Sequence, residues 1–306
     1  MIYQLNYLHN FFSAYFYSSL TYKSYLSKLK TLSPESKVVA VGASLISGNP
    51  IGLGLAEIQD NKSAKILSVF VKPQYQRQKI ATALLTYLEK ELVSRGCTSI
   101  EIVYTTGKST TIAINKLLKK FNWDTPKPRM LVCKTTYDMV NAPWMKLFKL
   151  PNDYEIFPWL EITDQERKKI IQTQELEQWI PSDLVPFQYE KNLETINSMG
   201  LRYRGEVVGW LITHRHDPDT IRYTCSYVRP DLQKRGRILP LYIKATQIQV
   251  EAQIPFVIWT VPLEHESMLK FVKKYMKPYM ISMEYSMGTS KLLLSDKKLN
   301  DLVLSI

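Results

Sequence analysis

The sequence is poor in the residues that build disulfide frameworks, metal centres and membrane spans. It contains three cysteines and four histidines among 306 residues, and no apolar run reaches the ~18 residues of a transmembrane helix. Cys97, Cys133 and Cys225 lie within apolar segments and form no CxxC pair, so we expect buried, reduced thiols and no metal. The N-terminus lacks the basic segment and cleavage site of a signal peptide. These absences predict a cytoplasmic protein without a membrane span.

Acidic residues are the minority charge. There are 40 Lys and Arg residues and 28 Asp and Glu residues, a formal net charge of +12. Such an excess favours anionic partners (phosphates, nucleic acid, an acidic peptide or anionic lipid) without choosing among them. A hydrophobic fraction of 45% is typical of a chain that buries cores, and the length suits two domains.

The sequence does contain a long internal repeat. Residues 64–104 and 220–260 each place an apolar strand before a Val-x-Pro triplet, then a basic loop that starts with Gln, a helical pattern and a second apolar strand. The two prolines, Pro73 and Pro230, are 157 residues apart (230 − 73). A repeat of this length indicates two copies of one domain, which we place at residues 1–142 and 143–306.

Each copy is predicted to have an α/β fold, with an α+β mixed sheet. In the first copy, Ile80, Leu84, Leu88 and Leu92 fall on one face of a helix. The first copy's predicted strands are 38–45, 51–58, 64–72, 98–104 and 129–138, and its helices are 80–94 and 110–121. The second copy's predicted strands are 154–162, 197–203, 207–216 and 280–287, around the repeated strand–loop–helix–strand, and its other helices are 164–179 and 266–275.

The basic loop between strand and helix is suited to binding a phosphate. The first turn of a helix offers unpaired N–H groups and the positive end of its dipole. The order of hairpin, strand, Val-x-Pro, Q/R-x-x-G-x-G/A loop and amphipathic helix resembles the GNAT acyltransferase superfamily. Because that order occurs twice, the chain resembles a tandem GNAT protein. The resemblance implies an acyl-CoA donor whose pyrophosphate binds the loop.

The resemblance gives one candidate acyl-CoA loop in each copy. The first keeps the leading Gln and a small residue, with Lys79 at the family's middle Gly; its binding residues are Gln76, Arg77, Gln78, Lys79, Ala81 and Thr82. In the second, Ile238 stands where the family has Gly or Ala and crowds the pyrophosphate; its binding residues are Gln233, Lys234, Arg235, Gly236 and Arg237. We favour the first loop, and the alternative for either is a structural turn with solvated charges.

The same resemblance implies where the thioester lies. In the family, the strand before the loop splays from the strand after the helix, and a strand N–H holds the thioester carbonyl. The residues that would line this gap are Val69, Phe70 and Val71 in the first copy, and Tyr227 and Val228 in the second. The family's usual acid, a Tyr in the last helix, is replaced by Leu118 or Phe271. Tyr104, Tyr227 and Tyr285 are the candidate substitutes, and the alternative for each is a core aromatic.

Two side chains are candidate general bases. Glu57 lies on the second hairpin strand of the first copy, and the alternative for it is an outward-facing strand carboxylate. His214 ends the equivalent strand of the second copy; histidine titrates near neutral pH, and the alternative is a solvated side chain. The N-terminal aromatics predict a packing face, or else a wall for a long acyl chain. These aromatics are Phe11, Phe12, Tyr15, Phe16, Tyr22 and Tyr25.

Two functions from different classes follow. The first is an N-acyltransferase that moves an acetyl or longer acyl group from acyl-CoA to a primary amine. Direct attack in a ternary complex is expected because no cysteine has an obvious base partner. A small amine and a lysine-like side chain of an acidic peptide are both open as acceptors, and a nucleic-acid partner is not expected. The second is a non-catalytic basic scaffold for an acidic peptide or nucleic acid.

Overall fold

The structure is a computed structural model that describes residues 2–233 and 236–293, apart from the side chains of residues 146 and 147. It divides into two compact units. Unit 1 comprises the residues up to Pro128 together with those from Ser286 onwards, and unit 2 comprises Arg129–Tyr285. The proposed limits of the two sequence copies, 1–142 and 143–306, stay a prediction.

Unit 1 is built on a mixed sheet with helices on its faces. Its strand order is β1-β2-β3-β4-β5-β12, and every recorded pairing is antiparallel except β4 with β5. The strands are β1 (Tyr3–Tyr7), β2 (Val38–Leu45), β3 (Pro50–Ile58), β4 (Ser63–Val71), β5 (Ser99–Thr105) and the part of β12 (Met280–Leu292) from Ser286. The helices are α1 (Phe11–Tyr15), α2 (Leu26–Lys30), α3 (Ile80–Ser94) and α4 (Thr111–Lys120).

Apolar side chains cover both faces of this sheet. The predicted face of α3 is buried against β2, β3 and β4, and Leu84, Leu88 and Leu92 have no exposed surface. A Cβ added at Gly54 would lie 2.7 Å from Leu88 Cδ1, so a glycine there lets α3 lie close to the sheet. The opposite face packs Leu53 against residues of the N-terminal segment such as Tyr17. This face and the α3 face bound the site described below.

Unit 2 repeats the arrangement. Its strand order is β12-β6-β11-β10-β9-β8-β7, and β10 and β11 are the parallel pair. The strands are β6 (Lys127–Thr136), β7 (Tyr154–Pro158), β8 (Met199–Tyr203), β9 (Glu206–Asp217), β10 (Thr220–Val228), β11 (Phe256–Pro262) and the first part of β12. The helices are α5 (Asp164–Glu177), α6 (Pro230–Gln233), α7 (Leu239–Glu251) and α8 (Glu266–Phe271).

Each unit completes its sheet with a strand from the other half of the sequence. In unit 2, β6 pairs antiparallel with β11, with Thr136 opposite Phe256. In unit 1, β12 pairs antiparallel with β5, with Ser286 opposite Thr105. The hydrophobic pattern predicted the strands over 129–138 and 280–287 but not their partners, because apolar alternation specifies a buried face and not a neighbouring strand.

Several predicted elements end earlier than expected. The strand predicted over 154–162 stops at Pro158, where Trp159–Glu161 form a 3₁₀ turn. The helix predicted over 164–179 stops at Glu177, because Gln178 adopts a left-handed φ of 48°. The helix predicted over 266–275 is α-helical only to Phe271 and continues as a π-helical turn over Val272–Met276.

The prediction of an N-terminal aromatic packing face is wrong for much of the segment. Phe12, Phe16 and Tyr22 are 82%, 71% and 69% exposed. By contrast, all three cysteines are buried and free, as the sequence predicted. Within residues 2–233 and 236–293, no helix is long and apolar enough to cross a membrane. In the same part of the chain, no group of three or more His, Cys, Asp or Glu could hold a metal ion.

Candidate active site

A bulge interrupts the same strand in both units, at the same point of the repeat. In unit 1, Leu55 and Ala56 of β3 pair with Ser68 and Ile66 of β4, so Leu67 is an extra residue. In unit 2 the equivalent register shift, between Tyr223 and Cys225, leaves Thr224 extra. Leu67 and Thr224 are 157 residues apart (224 − 67), as the two prolines are. A bulge bends a strand and changes the direction of its side chains.

The bulge is where the parallel strands part. The recorded pairs between β4 and β5 end at Ile66 and Ile102, and those between β10 and β11 end at Tyr223 and Trp259. Among the described residues, no residue pair beyond these joins β4 to β5 or β10 to β11, although β4 continues to Val71. Each unit therefore has a gap between the strand before its loop and the strand after its helix, as the family resemblance implied.

The splayed strands direct backbone groups into these gaps. In unit 1 the Lys72 N–H donates to the Ile51 carbonyl on β3 at 2.9 Å. Because successive residues of a strand direct their N–H and C=O groups to opposite sides, the groups of Val69 and Val71 point away from β3. In unit 2 the Arg229 N–H donates to the Val208 carbonyl at 2.8 Å, so the groups of Val228 point away from β9. Each gap thus receives N–H groups that can hold a carbonyl oxygen.

The leading Gln of each loop braces the end of its strand. The Gln76 side-chain amide donates to the Val71 carbonyl at 3.1 Å, and Gln233 donates to the Val228 carbonyl at 2.8 Å. The two bonds are equivalent in the repeat. Both glutamines hold the loop against the strand.

The first loop forms a cradle of backbone N–H groups. Arg77 and Lys79 adopt left-handed φ angles of 61° and 63°, and residues 76–79 are exposed. Lys79 is the N-cap of α3 without a side-chain cap, and the Ala83 N–H donates to the Lys79 carbonyl at 3.0 Å. The N–H groups of Ala81 and Thr82 lie in the helix's first turn, where helices bind anions. The small Ala81 leaves this backbone accessible.

The second loop has a similar backbone but more side chain against it. Gly236 adopts a φ of 65°, matching Lys79 in the repeat, and a Cβ added there would lie 3.1 Å from Phe148 Cε1. Arg237 lies over the Tyr154 ring at 5.0 Å, and its Nε is buried without a hydrogen-bond partner among the described residues. Ile238 packs against the core of unit 2. Lys234 and Arg235 lie outside the described residues.

One tyrosine of unit 1 reaches the helix where the family carries its acid. Tyr104, on β5 just past the last pair with β4, donates its hydroxyl to Asn115 Oδ1 on α4 at 2.5 Å. Asn115 lies about one turn before Leu118, which is buried in the core and has no proton to give. Burial raises the pKa of Tyr104. In unit 2 the repeat places Val261 at the position of Tyr104, so that hydroxyl is specific to unit 1.

The other two candidate tyrosines differ in their surroundings. Tyr227 donates its hydroxyl to the Trp179 carbonyl at 2.7 Å, and burial raises its pKa. Tyr285 lies on β12 and is 37% exposed.

The candidate bases occupy equivalent positions, since Glu57 and His214 are 157 residues apart (214 − 57). Glu57 forms an ion pair with Lys28 and lies opposite Val38 and Lys65 in the sheet. It is five residues along β3 from Gly52, the partner of Val71, which corresponds to roughly 17 Å of strand. The structure therefore does not bring Glu57 to the first loop.

His214 lies beside the bulge of unit 2. Its Nδ1 is 2.8 Å from Thr224 Oγ1, and its Nε2 is 3.3 Å from the Lys191 carbonyl. Because a carbonyl only accepts, Nε2 carries a proton if both bonds form. A surface pocket of about 340 Å³ opens here. Its lining residues are Tyr189, His214, Arg215, His216, Arg222 and Thr224.

Sequence reasoning missed three contributors. Asn115 positions the Tyr104 hydroxyl, Phe148 lies against the second loop, and Thr21 meets Ser68 beside the bulge with their hydroxyl oxygens 3.3 Å apart. Of these three, only the contact beside the bulge had a signal in the sequence, because Ile66 and Leu67 break the apolar alternation expected of a strand. The other two arise from packing between segments distant in sequence.

The bulged strand, the loop before the helix and the splayed strand occur twice, so the α/β fold has a tandem architecture. Residues 5–122 match the model of the acetyltransferase (GNAT) family. This segment of the first copy is therefore similar to GNAT domains. That likeness implies acyl-CoA-dependent N-acyltransfer as the general class of activity.

Solved structures extend the likeness to the whole chain. A tandem GNAT protein from the clavulanic acid biosynthesis pathway is 11% identical, with a TM-score of 0.70, over 96% of this chain and 100% of that one. A GCN5-related N-acetyltransferase from Sphaerobacter thermophilus is 15% identical, with a TM-score of 0.59, over 89% and 86%. None of the curated proteins compared with this sequence matches it. At these identities the structural matches show the fold alone.

Proposed function

We propose that the protein is an N-acyltransferase whose acyl-CoA site is the gap and loop of unit 1. The observation that carries this proposal is the difference between the two copies. Both have the bulge, the gap and the glutamine brace, but only the first combines the small Ala81 with a hydroxyl at Tyr104. In the second, Phe148 and Ile238 crowd the loop, and Val261 offers no proton. In this proposal unit 2 has a structural role and does not bind acyl-CoA.

In this site the pyrophosphate binds the first turn of α3. The N–H groups of Ala81 and Thr82 face it, and Arg77 and Lys79 add positive charge on an exposed loop. The N–H of Val69 or Val71 holds the thioester carbonyl, where negative charge develops during attack. A positioned donor of this kind contributes about 3 kcal/mol to lowering a barrier.

The transfer is a direct displacement. The neutral amine forms the new C–N bond, the C–S bond breaks, and the amine's extra proton passes to water or a base. Tyr104, a phenol that is protonated at neutral pH, gives its proton to the departing thiolate, and burial raises its pKa. The ion pair of Glu57 with Lys28 favours a water molecule over Glu57 as the proton acceptor. His214 is the candidate base if unit 2 proves to be the active copy.

The acceptor is a primary amine. A lysine-like side chain of a peptide with an acidic recognition segment fits the +12 net charge better than a polyamine, which that charge repels. The proposal also includes a cytoplasmic location, an acyl group of acetyl length or longer, and a reaction without a metal.

One observation favours the second candidate function, a basic scaffold. Arg222 in the pocket of unit 2 has no acidic partner among the described residues, whereas Arg215 of the same lining pairs with Glu194 at 2.7 Å. An acidic peptide or nucleic acid would be the ligand of such a surface. A scaffold of this kind needs no acyl-CoA.

Calorimetry with CoA tests the proposal. The Ala81→Trp variant places an indole in the cradle and should raise the Kd for CoA at least tenfold, because the pyrophosphate can no longer approach the backbone. Ile238→Trp is the matched variant of the second loop and should leave the Kd unchanged, with folding checked by circular dichroism. The reverse pattern would move the site to unit 2. No CoA binding by the parent protein would support the scaffold.

A further inference from the structure

A cluster of four aromatic rings lies on the outside of unit 1, within residues 11–16 of the N-terminal segment. Phe12 and Phe16 are 82% and 71% exposed, and Tyr15 is 59% exposed. The ring centroid of Phe11 lies 6.3 Å from that of Phe12 and 5.7 Å from that of Tyr15. The rings of Tyr15 and Phe16 are 6.0 Å apart. A contiguous exposed surface of this kind marks an interaction site, and we call these four residues the aromatic cluster.

The fold holds this segment in place through other side chains. Ala14 and Tyr17 are buried in the core that the segment forms with β2 and β3. A Cβ added at Gly42 on β2 would lie 2.4 Å from Tyr17 Cζ, so a glycine there makes room for the tyrosine. Asn10 caps α1, because its Oδ1 accepts a hydrogen bond from the Ser13 N–H at 3.0 Å. The segment is therefore anchored while the aromatic cluster stays outside.

The segment that carries the aromatic cluster has positive charges and no acidic residue. Residues 1–34 contain no Asp or Glu, and their lysines are Lys23, Lys28 and Lys30. Lys28 pairs with Glu57, whereas Lys23 and Lys30 are exposed and have no acidic partner among the described residues. α1 packs against α2, the helix that ends at Lys30. This charge attracts an anionic surface, and it repels a second copy of the same segment.

We propose that the aromatic cluster attaches unit 1 to an anionic lipid surface. In proteins that lie on a membrane, aromatic side chains enter the boundary between headgroups and acyl chains, and nearby lysines attract anionic headgroups. The projecting rings of Phe12 and Phe16 have the first property, and Lys23 and Lys30 have the second. Attachment of this kind needs no helix that spans the membrane. It is separate from the acyl-CoA site and does not depend on the function proposed above.

Vesicle flotation of the full chain, at increasing lipid concentration, tests the proposal. The parent should bind vesicles of equal parts phosphatidylcholine and phosphatidylserine roughly tenfold more tightly than vesicles of phosphatidylcholine alone. The double variant Phe12→Ser/Phe16→Ser should weaken binding to the mixed vesicles roughly tenfold, because two rings no longer enter the lipid boundary. The matched control, Ile46→Ser/Ile112→Ser, changes two side chains that are 69% and 68% exposed elsewhere in unit 1 and should bind as the parent does.

A second pair of variants tests the charge. Lys23→Gln/Lys30→Gln should weaken binding to the mixed vesicles roughly tenfold and leave binding to phosphatidylcholine unchanged. Lys119→Gln/Lys120→Gln removes the same charge from exposed positions on α4, which packs with the α3 core, and should lose much less affinity. Circular dichroism checks that each variant folds.

Three results would overturn the lipid surface. One is a parent protein that binds neither kind of vesicle, or binds both equally. Another is an unchanged affinity of Phe12→Ser/Phe16→Ser, or equal losses in the two lysine variants, since net charge alone would then account for binding. The third is a dimer in analytical ultracentrifugation that Phe12→Ser/Phe16→Ser converts to a monomer, without vesicle binding by the parent, which would assign the aromatic cluster to self-association.

Discussion

At the scale of single residues, the two copies differ where chemistry is decided. The left-handed position before the helix is Lys79 in one copy and Gly236 in the other, with φ angles of 63° and 65°. A lysine in this conformation costs about 1 kcal/mol relative to glycine, so the first loop carries a local strain that the second avoids. Tyr104 and Val261 are the second such difference.

Replacing Tyr104 by phenylalanine should lower kcat about ten- to a hundredfold and leave the KM for acyl-CoA unchanged, because only the proton for the thiolate is lost. In the parent, kcat should rise with pH as the amine becomes neutral. It should then fall at alkaline pH, where Tyr104 ionises above its usual pKa. The measurement is kcat against pH, and the variant should lack the alkaline fall.

The Tyr285→Phe variant is the control for this experiment, because Tyr285 is the other unassigned tyrosine predicted from the sequence. It should show the parent's profile. If Tyr285→Phe loses activity and Tyr104→Phe does not, the acid has been assigned to the wrong strand.

At the scale of elements, one ion pair attaches the C-terminal strand to unit 1. Lys291 Nζ on β12 lies 2.7 Å from Glu89 Oε2 on α3, and the two side chains are 20% and 15% exposed. Glu89 Oε1 is buried without a hydrogen-bond partner in the described part of the chain. Burial raises the pKa of Glu89 despite the opposing effect of Lys291. The carboxylate is thus tolerated only because Lys291 faces it.

Lys291→Met should reduce the free energy of unfolding by about 2–3 kcal/mol, because it leaves a mostly buried carboxylate without its partner. Since the folded pKa of Glu89 is raised, its contribution to stability is greatest below the unfolded pKa of ~4.3 and is lost as pH rises through the folded value. The variant should lose stability over a wider pH range than the parent. Denaturant unfolding at several pH values measures this.

Two further variants make the test specific. Adding Glu89→Gln to Lys291→Met should recover much of the stability and remove the added pH dependence. Lys37→Met, which removes the exposed pair with Asp60, should leave the unfolding free energy nearly unchanged, because solvent screens that pair. A Lys291→Met variant as stable as Lys37→Met would show that the pair does not hold β12.

The sequence predicted the helices and strands better than it predicted which strands pair with each other. The 157-residue spacing located both loops, and the apolar spacing of Leu84, Leu88 and Leu92 located α3, because periodicity reports burial directly. The spacing could not report that β6 pairs with β11 or β12 with β5, since pairing between distant strands depends on tertiary packing. The contact of Tyr104 with Asn115 and that of Phe148 with Gly236 were invisible for the same reason.

At the scale of the whole molecule, the excess of positive charge concerns the acceptor. The phosphates of one CoA need only a few of the 12 excess charges, so basic surface remains for another anionic partner. Attraction of this kind acts over a Debye length of about 10 Å at 0.1 M salt and weakens as salt is added. Added salt should therefore raise the KM of an acidic peptide acceptor and lower the KM of a polyamine, which distinguishes the two.

The KM for a lysine-containing acidic peptide should rise at least severalfold between about 0.05 and 0.3 M salt, because screening weakens its attraction to the basic surface. The matched control is the same peptide with glutamine in place of each glutamate, whose KM should be higher at low salt and nearly independent of salt. Steady-state assays at saturating acyl-CoA measure both. Efficient turnover of a small polyamine, with a KM that falls as salt screens its repulsion, would contradict the peptide acceptor and leave the positive charge to CoA alone.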